Sequence, residues 1–97
     1  MTEQEEREVE DGYADVTSRL AALRMAYGVR PSQTEPWAAG QRNPHPPGSD
    51  EFRKWAAVVA HGRALERERR EWSAKMGEVI KARIAYNLRD LGSVKYD

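Results

Sequence analysis

Between positions 63 and 89 the chain places Arg63, Arg67, Arg69, Arg70, Lys75, Lys81, Arg83 and Arg89, with Trp72 among them. Cations spaced along a helix can follow phosphates, and an indole can stack on a base. The stretch is therefore a candidate nucleic-acid face, with Arg63, Arg67, Arg70 and Lys75 as the expected contacts. Glu66, Glu68, Glu71 and Glu78 are interleaved with these bases and weaken their field. The whole chain has zero formal net charge, far from the basic balance of most nucleic-acid binders.

Other chemistries have fewer residues to work with. His45 and His61 are the two histidines and cysteine is absent, so no zinc or other metal site is expected. Glu6 and Glu10 lie one helical turn apart, but nothing around them forms the apolar pocket that would tune a carboxylate for proton transfer. No glycine-rich phosphate loop, nucleophile elbow or metal motif is present. The expectation is a non-enzymatic protein with no cofactor and no small-molecule substrate.

The elements that must position these residues follow from apolar spacing. Val9, Tyr13, Val16, Leu20, Leu23 and Tyr27 recur at intervals of 4, 3, 4, 3 and 4, a 3.5-residue repeat that predicts a helix over about 3–27 with one narrow seam. Such a seam suits a core-facing helix or a self-associating coiled coil. Thr2 and Glu5 have capping-box spacing, acids fill the first turn, and Gly28 followed by Pro31 predicts the stop. Residues 28–49 hold all five prolines and no apolar period, which predicts an irregular linker. Thr34 is expected to cap a single turn over 35–39, followed by polyproline-like chain from Asn43 to Gly48. Trp37 in that linker either pins it to the helices or anchors a partner.

Ser49 is the expected N-cap of a long helix over about 50–91, stopping at Gly92. His61-Gly62 implies a kink or the close approach of another segment. The run from Arg63 to Glu71 reads as a solvated bridge, supported by Glu66–Arg70, Arg67–Glu71 and Glu71–Lys75 pairs. Beyond it Trp72, Met76, Val79, Ile80, Ile84, Tyr86, Leu88 and Leu91 fill an arc of about 200°, twice the stripe of an ordinary surface helix. One partner helix cannot cover that arc. Arg83 sits in its middle, where it either meets a carboxylate from Glu10, Asp11 or Asp15 and sets register, or snorkels to water.

Charge is distributed unevenly. Residues 1–29 carry seven acids and three bases, a net of −4, and residues 50–97 carry eight acids and eleven bases, a net of +3. The two segments should attract, within a chain or between chains. The longest fully apolar run, Ala56 to Ala60, is five residues, far short of the roughly twenty a membrane helix needs. The acidic N-terminus is unlike a signal or transit peptide.

These observations predict one all-α domain over 1–97, an elongated, coiled-coil-like helical hairpin. Its interface residues are the six of the first seam together with Trp37, Trp72, Met76, Val79, Ile80, Arg83, Ile84, Leu88 and Leu91. The predicted role is protein–protein interaction or assembly, as a homo-oligomer or an accessory component of a larger complex such as a viral or other particle. A cytoplasmic location and no membrane are expected. The alternative is a small nucleic-acid-binding regulator using the arginine-rich face.

Overall fold

Two helices account for most of the chain, and a computed structural model describes residues 2–94, with side chains as far as Leu88. Leu91 and Arg89, both expected near the C-terminal arc, lie outside the described side chains. Helix α1 spans Glu3–Tyr27 and helix α2 spans Asp50–Val94. Among the described residues there is no strand, and the architecture is the expected helical hairpin.

The caps explain the helix limits. The Thr2 hydroxyl accepts from the Glu5 N–H at 3.2 Å, the first half of the predicted capping box. At the other end Gly28 takes φ 78°, a left-handed value that costs glycine little. Its N–H donates to Met25 O at 3.1 Å, and the Val29 N–H donates to Arg24 O at 2.9 Å. Those two bonds satisfy carbonyls that the helix end leaves open. At the start of α2, Ser49 Oγ accepts from the Phe52 N–H at 3.1 Å and donates to Pro46 O at 2.7 Å.

At two places the backbone departs from expectation. α2 does not stop at Gly92 but runs on to Val94. A helical glycine costs only about 1 kcal/mol relative to alanine, and no proline follows to forbid continuation. The linker segment expected to form one helical turn instead makes two tight turns. The Ala38 N–H donates to Glu35 O at 3.0 Å, and the Gln41 N–H donates to Ala38 O at 3.3 Å. Both bonds span three residues, and Gly40 at φ 80° turns the chain out of any helix.

The linker is tied down along its length. Arg24 and Glu35 form an ion pair across its start. Asn43 donates its side-chain N–H to Phe52 O at 3.0 Å and accepts from the His45 N–H at 3.0 Å. Tyr27 and His45 both meet the Trp55 ring edge-on, at 6.2 and 5.9 Å between centroids. Trp55 thus joins the end of α1, the linker and the start of α2.

The pairings Tyr27 with Trp55, Arg19 with Glu68 and Glu10 with Arg83 run in opposite directions along the two helices, so the hairpin is antiparallel. Its core consists of Val9, Val16 and Leu20 from α1, Trp37 from the linker, and Leu65 and Val79 from α2. Val16, Leu20, Trp37 and Leu65 form one cluster, with Leu23, Val58, Val59 and Trp72 packed against it. The α1 seam faces α2 of the same chain, as expected of a core-facing helix. Leu65 corrects the reading of residues 63–71 as a solvated bridge. It is 3% exposed, and a single leucine packed in one cluster with Val16, Leu20 and Trp37 is enough to make that stretch part of the core.

Two tryptophans lie flat against glycines of the opposing segments. The Trp72 indole sits where a Cβ on Gly12 would come within 2.6 Å of it, and the Trp37 indole occupies the space a Gly62 side chain would need. Gly62 therefore marks a close approach within an unbroken helix.

Candidate interaction surface

α2 outruns α1. Arg83 meets Glu10 and Glu6, and Glu6 shares a shallow surface cavity with Tyr86 and Asn87. The first turn of α1 therefore lies beside the 83–87 turns of α2. Residues 88–94 continue for about two further helical turns.

The apolar arc on this part of α2 divides in two. Val79 is fully buried under α1, and Trp72 and Met76 are half-buried. Ile80 is 49% exposed, Ile84 52%, Tyr86 66% and Leu88 62%. Ile80, Ile84 and Leu88, spaced by four, drift only about 40° per step and form one stripe. α1 cannot reach it, because Val79 and Arg83 point at α1 and the stripe turns away from them, by about 80° at Ile80 and about 160° at Leu88.

Arg83 has the carboxylate partner expected of it, and the partners are Glu10 and Glu6. Asp11 does not take part, and Asp15 pairs with Arg19 at 2.9 Å. The Arg83 side chain is half exposed, so it is not the dry, buried cation that a register pin would require. The hydrogen bond to Glu10 and the charge of that carboxylate hold its pKa above the ordinary arginine value, with Glu6 adding to the effect. Arg19 is likewise raised, first by its hydrogen bond to Glu68 and then by Asp15.

The four cations expected to contact nucleic acid separate into two places. Arg63, Arg67 and Arg70 line an open cleft of about 470 Å³ against Glu35, Trp37 and Ala38 of the linker. Lys75 lies elsewhere, with its ammonium 4.6 Å from the Trp72 ring centroid. With Gly12 against its indole and Lys75 over it, Trp72 is not a free platform for a base. Glu66 pairs with Arg69 at 2.7 Å instead of Arg70, since residues three apart are also neighbours on a helix. Trp37 is 5% exposed and belongs to the core. Its Nε1–H is buried with no acceptor among the described residues, an arrangement that costs about 1–3 kcal/mol.

Gly12 and Leu65 were not marked by the sequence pattern. A small residue on the seam side of α1, opposite a tryptophan, was the available signal for Gly12; Leu65 was hidden because its neighbours are charged. Among the described residues no group of three or more histidines, aspartates or glutamates is placed to hold a metal ion, and no helix is long and apolar enough to cross a membrane. Comparison of the chain with protein-family models, curated proteins and solved structures found no match.

Proposed function

We propose that this protein is a non-enzymatic assembly subunit that associates with further copies of itself through the uncovered stripe Ile80, Ile84 and Leu88. The observation that carries this reading is the exposure of these three residues on one helix face, each about half or more. Ile80, Ile84 and Leu88 make one apolar stripe over about two and a half helical turns, and contiguous exposed apolar surface of this kind marks interaction sites on small proteins.

A second copy fits the stripe by symmetry and by charge. A two-fold axis beside Ile84 would set Ile80 of one copy against Leu88 of the other, so one surface serves both sides. Positions 80–88 carry Lys81 and Arg83 and no acid, whereas positions 3–11 carry six acids and one base. Arg83 is already held by Glu6 and Glu10 of its own chain, so within positions 80–88 Lys81, beside the stripe, is the cation left to meet the acidic start of the other copy's α1.

Light scattering of the full chain at rising concentration tests the proposal. The parent is expected to form dimers or larger species, and Ile84→Asp to remain monomeric with unchanged helical content. A parent that stays monomeric at high concentration and binds no apolar dye would overturn the reading.

A further inference from the structure

We infer that the cleft between the linker turns at residues 36–39 and the Arg63, Arg67 and Arg70 row of α2 is a binding site for a phosphate-bearing ligand. This inference is independent of the assembly reading, since the cleft and the apolar stripe occupy different regions of α2.

Three observations meet in the cleft. The arginines stand at i, i+4 and i+7, so they project from one face. Two carboxylates also line it, but each is engaged by a cation that does not: Glu35 by Arg24 and Glu66 by Arg69. Among the described residues Arg63, Arg67 and Arg70 have no carboxylate partner. Three neighbouring cations repel one another on a helix surface, and a multiply charged anion would relieve that repulsion. Trp37 supplies the third observation, since it lines the cleft while being 5% exposed and packed on Gly62, which makes that wall a fixed part of the core.

The chemistry selects phosphate over a single carboxylate. A guanidinium binds two oxygens as a planar fork, and one carboxylate satisfies only one such fork. A phosphate presents three or four oxygens and can engage several guanidinium groups together. The cleft's volume of about 470 Å³ lies within the range of about 300–1,000 Å³ found for small-ligand sites. Ala38 beside Trp37 leaves the linker wall low, so the three exposed arginine side chains are free to close on a ligand.

Pyrophosphate and a single-stranded oligonucleotide of about 20 nucleotides, each titrated into the full chain at low and physiological salt, test the inference. The proton-detected amide spectrum supplies the readout, since the three tryptophans give separate indole signals. Binding is expected to shift the Trp37 indole signal. Arg67→Gln should weaken binding at least about tenfold, and the triple Arg63, Arg67 and Arg70→Gln variant should abolish it. Arg53→Gln, an equal loss of charge outside the cleft, should change affinity less than about twofold. These arginines are exposed, so circular dichroism should show every variant folded. Stronger binding of pyrophosphate would identify a free phosphate ligand. Stronger, steeply salt-dependent binding of the oligonucleotide would identify a nucleic-acid backbone as the source of the same phosphate chemistry. Failure of both probes to bind at up to about 10 mM would overturn the inference. So would an Arg53→Gln loss as large as that of Arg67→Gln, which would reduce the effect to overall charge.

Discussion

Gly12, Gly62 and Gly77 occupy helix interiors, yet their neighbours differ completely. An indole lies against each of the first two, whereas nothing lies within 4 Å of a Cβ built on Gly77. Alanine at any of them recovers about 1 kcal/mol of helix propensity. At Gly62 the added methyl meets the root of the Trp37 ring, a buried group with nowhere to go, and overpacking of that kind costs about 1–3 kcal/mol. At Gly12 it meets the far edge of the Trp72 ring, which is half-buried and can swing. Thermal melts should therefore place Gly77→Ala above the parent, Gly12→Ala slightly below it and Gly62→Ala lowest. Equal stabilisation by all three would mean that neither indole rests on its glycine.

At the scale of the helices, the contact between α1 and α2 combines a thin apolar core with exposed ion pairs, and magnitudes decide which holds it. Leu65 is 3% exposed and touches the Val16, Leu20 and Trp37 cluster. Truncating such a residue costs about 2–5 kcal/mol. Arg83 bridges Glu6 and Glu10 from a half-exposed position, where an ion pair is worth about 0–1 kcal/mol. Urea unfolding should accordingly show a large loss for Leu65→Ala and a loss below about 1 kcal/mol for Arg83→Met. A greater cost for the arginine would assign the pairing of the helices to charge. Nor should the elevated arginine pKa values add pH sensitivity near neutrality. A raised guanidinium pKa contributes stability that is complete below the unfolded value and is lost only as pH rises through the folded one, far above neutrality.

The molecule as a whole is a rod of 73 × 25 × 19 Å with a radius of gyration of 19.8 Å, against about 13 Å for a compact domain of 100 residues. A rod one helix pair thick has little interior, which explains why the buried set is small and why large apolar groups remain exposed, Met25 near the linker and Ile80, Ile84, Tyr86 and Leu88 toward the other end. Pairing through that end has a consequence for shape. Two copies joined antiparallel over the last turns of α2 would form a particle much longer than 73 Å, whereas lateral pairing along the full hairpin would thicken the rod and leave its length nearly unchanged. Small-angle scattering across a concentration series separates the two. A longest dimension that stays constant as the mass doubles would exclude the end-to-end arrangement.

Local and periodic features were legible in the sequence because they depend on neighbours within about one heptad. The Thr2 and Ser49 caps, the Gly28 stop, the α1 seam, the start of α2 and the excess width of its C-terminal arc all belong to this class. Gly92 was misread because a glycine weakens a helix without ending it, and the stop at Gly28 is supported by a following proline that Gly92 lacks. What the tertiary structure alone decided depends on groups far apart in the chain. It set the antiparallel direction, because a linker of about twenty residues can span either arrangement. Packing across that hairpin then brought Leu65 into the core, seated two tryptophans on glycines of the opposing segments, and gave Arg83 to Glu10 and Glu6. The cleft of Arg63, Arg67 and Arg70 likewise exists only because the linker folds back over α2. Spacing along one helix places three arginines on one face, but a second segment must supply the opposite wall.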